Sequence, residues 1–359
     1  MRFFDIYGNE ATINPAPFFW ENNNMAPFWI VHIDTHMKYF TVANIKKIID
    51  AMALARANQL EISISSDSGF RLELNDMTIS TNGTTYNLSA CLGGVENATK
   101  WYSQNDMDEI ISYANMHGID IVPTFNVPGH MGRMLALFSQ FKYQNTTTLN
   151  IKDESAVNFG LAILEKYATY FSNKGCKRFN INYDEIMGYG VGYPAIYNNG
   201  DFQYFVDFAN KAAKLLKSIC VVPRAFNELF DYNNDSDYYV SRDFEVLYWD
   251  GTIPNENLAT AQQLINLGYT VINSSQVYYW VNNSQRQVTA ETLRTADFLK
   301  DFDTTPSTKN GAGAMFCIWC DNAQASPDAG DGGDAIVNAV LPLISAYGEG
   351  IQHTLSITN

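Results

Sequence analysis

Residues 119–125, Ile119-Asp120-Ile121-Val122-Pro123-Thr124-Phe125, run apolar with little interruption, as do residues 28–34, Phe28-Trp29-Ile30-Val31-His32-Ile33-Asp34. A strand with one wet face alternates apolar and polar residues. A continuous run instead marks a strand covered on both faces, as in a parallel sheet. Comparable runs recur at 60–65, 178–184, 220–226, 245–249, 269–273 and 313–319. Helix-periodic segments separate them at 42–56, 104–117, 155–172, 202–218, 258–267 and 290–302, with a last helix at 333–346. Eight β units alternating with helices in 359 residues predict an α/β fold, a single (β/α)8 barrel. Segment 72–100, rich in Thr, Asn and Gly, reads as an insertion forming a hairpin above the second strand and walling the site. Residues 1–27, rich in Asn and Pro, read as an arm packed on the barrel, leaving 28–359 as the barrel itself.

Composition narrows what such a barrel handles. Hydrophobic residues make up 46% and charged ones 17%, enough apolar material for a large core. The net charge of −15 repels phosphate backbones and anionic bilayers, which argues against nucleic acid and for a neutral substrate. Aromatics reach 14%, which suits either an aromatic-rich core or a cleft whose rings stack on sugar faces. No run approaches the ~20 apolar residues of a membrane span, and the first residues lack the pattern of a signal peptide. Five cysteines, Cys91, Cys176, Cys220, Cys317 and Cys320, do not describe a disulfide scaffold. Cys317 and Cys320 form a CxxC, but inside the apolar run 314–320 and without a second pair or a nearby His, so no metal and no cofactor is expected.

In such barrels the site lies at the C-terminal ends of the strands. Those ends carry Asp34, Asp67, Asn126 with His130, Asp184-Glu185, Asn227-Glu228, Trp249-Asp250, the loop 273–279, and Trp319 with Asp321. The sharpest segment is Phe179-Asn180-Ile181-Asn182-Tyr183-Asp184-Glu185. Two adjacent carboxylates closing a buried strand raise the proton affinity of one of them, which prepares a general acid. The competing reading is a helix N-cap, since carboxylates favour first turns.

These segments resemble glycoside hydrolase family 20, the β-N-acetylhexosaminidases, and within it the catalytic domains of streptococcal surface enzymes. The likeness rests on Ser66-Asp67-Ser68-Gly69-Phe70-Arg71, on Pro123 through Met131 with its Pro128-Gly129-His130, and on FNINYDE. Ala225-Phe226-Asn227, Leu247-Tyr248-Trp249, the loop 273–280, and Gly313 through Asp321 complete it. The resemblance implies exo-acting, substrate-assisted, retaining hydrolysis of terminal N-acetylhexosamine, with the sugar's own 2-acetamido oxygen as nucleophile. It implies Glu185 as acid and then base, Asp184 as the group orienting the acetamido N–H, and Tyr279 as the donor to the acetamido oxygen. Trp249 and Trp319 would wall the sugar, with Trp280 in the same loop as Tyr279. Asp321 would take outer hydroxyls, and Asn126 and His130 would support the acid. Asp34, Asp67 and Asn227 complete the substrate-binding candidates. The partner implied is a glycan, met outside the cell or at its surface.

The sequence departs from the family pattern in places. Tyr183 is bulky where glycine or leucine is usual, and Met37 stands where the family has an arginine gripping sugar hydroxyls. A thioether donates no hydrogen bond, so His36 and Lys38 become the candidate replacements. The Asp or Asn often found near the loop tyrosine is missing. Three readings follow: an exo-hexosaminidase, a family member altered for a substituted or extended N-acetylhexosaminide, and a barrel that binds glycans with little turnover.

Overall fold

The hydrophobic spacing of the first helical segment shows how the outer layer forms. Ile45, Ile48, Ile49 and Met52 recur at helical intervals and are buried, while Thr41 caps the N-terminus by accepting from the Asn44 N–H. A computed structural model of the chain describes residues 3–4, 10–11, 27–186, 192–250, 257–302, 308–323 and 330–358. The expected arm at 1–27 lies outside the described residues, apart from residue 27 and the backbone of the paired segments Phe3–Phe4 and Glu10–Ala11.

Eight parallel strands close on themselves: β1 (Phe28–Asp34), β2 (Gln59–Ser65), β3 (Asp120–Phe125), β4 (Arg178–Asn180), β5 (Val222–Phe226), β6 (Glu245–Tyr248), β7 (Thr270–Asn273) and β8 (Gly313–Trp319). Each pairs with the next, and β8 returns to β1 with Ala314 opposite Trp29 and Ile318 opposite Ile33. Around them lie α1 (Val42–Ala55), α2 (Gln104–Met116), α3 (Glu154–Asn173), α4 (Phe202–Ser218), α5 (Ala261–Asn266), α6 (Ala290–Thr295) and α7 (Asp334–Thr358). The link from β5 to β6 carries only single 3-10 turns, Asn227–Leu229 and Tyr232–Asn234, in place of a helix.

Inside the barrel, the fully buried Arg224 is held by Glu61 at 3.1 Å, Glu245 at 2.6 Å and Gln59 at 2.9 Å. Burial works against its charge, but the two carboxylates outweigh it and raise the guanidinium's pKa. Apolar side chains fill the barrel beside this network, with Phe28, Ile30, Phe226, Leu247, Ile272, Met315 and Cys317 packed together.

Three expectations need correction. The last helix does not end near residue 346 but runs to Thr358, because Tyr347, Ile351 and Thr354 continue its buried face. Gly348 permits this: a Cβ there would sit 2.6 Å from the Cα of Ala55, so only glycine lets α7 lie this close to α1. The insertion does form a hairpin, Thr78–Thr81 with Thr84–Asn87, yet none of its residues lines the cavity at the strand ends. It sits against α3, where Lys166 pairs with Asp76 at 2.8 Å. Finally, β4 stops at Asn180, four residues short of Asp184.

Candidate active site

The early end of β4 shapes the site. Beyond Asn180 the chain passes through left-handed backbone at Asn182 (φ 66°), Tyr183 (φ 69°) and Glu185 (φ 45°). Such conformations cost non-glycine residues roughly 1–2 kcal/mol each, so they persist only where surroundings enforce them. Here the enforcing bonds are visible. The Asn182 N–H donates to Asn180 Oδ1 at 2.7 Å, the Phe226 N–H to the Asn182 carbonyl at 2.7 Å, and the Glu185 N–H to Glu228 Oε2 at 2.8 Å. Tyr183 turns into the helix layer and its hydroxyl donates to the Phe205 carbonyl at 2.6 Å, so its bulk never enters the site. The turn gives the adjacent carboxylates different surroundings: Asp184 is half-buried, while the side chain of Glu185 is 56% exposed.

Both carboxylates line a cavity of about 520 Å³ at the strand ends, shared with Asp34, Asp67, Asn126, His130, Trp249, Tyr279, Trp319 and Asp321. This is within the usual size of small-ligand sites. Of the substrate-binding residues predicted, Asn227 and Trp280 are not in its wall. Residues 279–281 form a short strand beside β8, so alternation sends Tyr279 and Val281 inward and Trp280 into the outer core. Asn227 is buried behind the wall. It accepts from the Trp249 N–H at 2.9 Å and donates to the Asp250 carbonyl at 2.9 Å.

The electrostatics centre on His130. Its Nδ1 lies 3.0 Å from Asp67 Oδ2 and its Nε2 lies 3.8 Å from Glu185 Oε2. Burial disfavours its charge, but the hydrogen bond to Asp67 and the charges of Asp184, Asp67 and Glu185 raise it to about 9. Asp67 is pushed up by burial and pulled down further by His130 and the Gly132 N–H, so it ends below the usual carboxylate range. Asp184 goes the other way: burial raises it to about 6, with Glu185 adding to the rise and the His130 cation opposing it. Asn182 Nδ2 donates to Asp184 Oδ1. Asp34 is buried, yet His36 at 2.9 Å and the N–H groups of Met37 and Cys320 hold it low. Asp321 is raised by burial and by the Asp34 charge.

Tyr279 and Trp319 meet edge to face with ring centroids 5.9 Å apart. Burial lifts the Tyr279 hydroxyl well above the ordinary tyrosine range, so it stays a proton donor. Of the two candidate replacements at Met37, His36 reaches the cavity wall, but Lys38 does not. The Lys38 ammonium is fully buried against Glu96 at 3.1 Å and Asp331 at 2.7 Å. Sequence reasoning missed Arg286 and Ser284, which also line the cavity. No strand end carries them. They lie in a turn anchored by Asn282, which accepts from the Asn322 N–H at 3.0 Å. Glu228, read with Asn227 at a strand end, was not among the site residues predicted; it lies behind the wall beside Asn227.

In this closed parallel barrel the strand ends gather acidic groups and aromatic rings around one cavity. Residues 27–186 match the family model described as glycosyl hydrolase family 20, catalytic domain. Over those residues the chain is similar to that family. A structure of the pneumococcal virulence factor StrH superposes with a TM-score of 0.81 at 25% identity, covering 92% of this chain and 84% of that one. Lacto-N-biosidase of Bifidobacterium bifidum is 25% identical over 267 residues, 68% of this chain and 23% of its own length. The beta-hexosaminidase subunit beta of Rattus norvegicus is 32% identical over 130 residues, 35% of this chain and 21% of its own length. The chain thus spans less than a quarter of these two curated relatives. None of the helices described is long and apolar enough to cross a membrane.

Proposed function

We propose that the barrel is an exo-acting β-N-acetylhexosaminidase that cleaves terminal N-acetylhexosamine from glycans by substrate assistance. The observation that carries this is the left-handed turn at 182–185, which separates two adjacent carboxylates into unlike environments within one cavity. Glu185, near the solvent and beside His130, protonates the departing oxygen and then takes a proton from water. Asp184, deeper and desolvated, accepts from the acetamido N–H and balances the charge that grows there. Tyr279 donates to the acetamido oxygen, and Trp249 and Trp319 enclose the group. A protein nucleophile has no part in this scheme, so a thiazoline mimic of the oxazolinium intermediate should bind far more tightly than the free sugar. Covalent trapping of a glycosyl ester on any carboxylate counts against it. Action on glycans outside the cell is part of the same reading, supported by the family resemblance.

The acid limb of the pH profile follows from Asp184. Only when ionised does it carry the charge that balances the developing positive charge on the acetamido group, so kcat/KM should fall as pH drops through about 6. The His130 cation holds that value down, so removing it raises the Asp184 pKa. His130→Gln should therefore lose activity at a higher pH than the wild type. A limb that stays put or moves to lower pH refutes the assignment.

A second reading is favoured at the far side of the cavity. Met37 presents apolar surface where the resemblance implies an arginine, and Val281 adds apolar surface to the same cavity, which Arg286 and Ser284 also line. The relative named lacto-N-biosidase matches across 68% of this chain. Both points support a substrate that is substituted, as by a 6-sulfate, or extended as in disaccharide release. Simple N-acetylglucosaminides and N-acetylgalactosaminides should then show high KM, and a sulfated or disaccharide glycoside a lower one. A low-micromolar KM with fast turnover on a simple glycoside shows that Met37 has no bearing on substrate choice.

A further inference from the structure

We propose that Glu228 is a positioning residue that locks the backbone of Glu185 to the indole of Trp249, so that proton donor and aromatic wall keep one relative placement. This rests on the hydrolase reading above and assigns a role to a residue outside it. Glu228 sits in the single 3-10 turn that follows β5 and is 2% exposed. Its two oxygens face two different elements: Oε2 accepts from the Glu185 N–H at 2.8 Å, and Oε1 accepts from Trp249 Nε1 at 3.1 Å. One bond fixes the turn after β4, the other fixes the end of β6, and Asn227 beside it holds the Trp249 backbone.

The geometry asks for a carboxylate in particular. Both partners are N–H donors, so both Glu228 oxygens must accept, whereas a glutamine would turn an N–H₂ group toward one of them. The Glu185 N–H also belongs to a residue in left-handed backbone, φ 45°, which does not hold itself in place. Placement matters most for the proton donor, because proton transfer requires hydrogen-bond reach of the leaving oxygen. Loss of Glu228 should accordingly be felt where protonation is needed and spared where it is not.

The test compares wild type with Glu228→Gln on an alkyl β-N-acetylglucosaminide, whose leaving group needs a proton, and on the 4-nitrophenyl glycoside, whose leaving group hardly does. Losing a hydrogen bond to a charged group should lower kcat on the alkyl glycoside by about 10- to 100-fold, with a much smaller loss on the nitrophenyl one. In a Trp249→Phe background, which lacks the indole N–H, the leaving-group selectivity should persist. Glu228→Gln should also weaken thiazoline binding when Trp249 is present, and that weakening should vanish in the Trp249→Phe background, because it depends on the indole bond. Glu228→Asp keeps the charge but is one methylene too short to span both donors, and it should show the same selectivity if the Gln variant does not fold. Equal losses on the two glycosides in an active, folded variant overturn this inference and leave the hydrolase reading standing. A wild type inactive on both overturns the hydrolase reading and this inference with it.

Discussion

Glu185→Gln should lower kcat on an unactivated N-acetylhexosaminide by ~10²–10⁴, the usual contribution of a positioned general acid. The substitution is nearly isosteric and removes only the transferable proton. The Glu185 side chain is more than half exposed, and its anchoring bond to Glu228 runs through the backbone N–H, which glutamine keeps. Melting temperature should therefore stay close to wild type, since surface substitutions away from buried networks change stability little. Steady-state kinetics beside a thermal melt check both halves. An unchanged kcat on the unactivated substrate removes Glu185 from the chemistry. A nitrophenyl glycoside makes a poorer test, because its leaving group departs without a proton.

Tyr279→Phe should cost ~10²–10³ in kcat/KM, the scale set by deleting one preorganised donor at a developing charge. The ring remains, so the edge contact with Trp319 at 5.9 Å and the burial of the strand 279–281 survive. What goes is a hydroxyl that burial holds protonated and that faces the same cavity as both carboxylates. The loss should fall mainly on kcat, because charge on the acetamido oxygen grows toward the transition state. Kinetics of the purified variant decide it. An unaltered kcat/KM makes Tyr279 a packing residue.

The barrel was legible because continuous apolar runs and helical periodicity are local signals, and seven of the eight strands fall within two residues of the runs that predict them. The exception, β4, is instructive. Its sequence reads as one strand through Asp184, but the left-handed turn that ends it depends on bonds from Asn180, Phe226 and Glu228, two of them on a different strand and its loop. The candidate site was legible wherever a residue sits at a strand end, as with Asp34, Asn126, Trp249 and Trp319. Trp280 failed because register in the short strand beside β8 is set by pairing, which decides whether Tyr279 or its neighbour faces inward. Lys38 failed because its partners, Glu96 and Asp331, lie 58 and 293 residues away in sequence. Arg286 reaches the cavity from a turn whose position depends on Asn282 and Asn322, and nothing local announces that.

The account stands most directly on the role of the acetamido group, and one comparison tests it: kcat/KM of the wild type on a β-N-acetylglucosaminide against the matching β-glucoside, which differs only at the 2-position. With the sugar's own acetamido oxygen as nucleophile, the glucoside has no route to an intermediate and should show no measurable turnover, while the N-acetylglucosaminide is cleaved. Comparable rates on the two would contradict the account, because Asp184 and Tyr279 would then have no acetamido group to act upon.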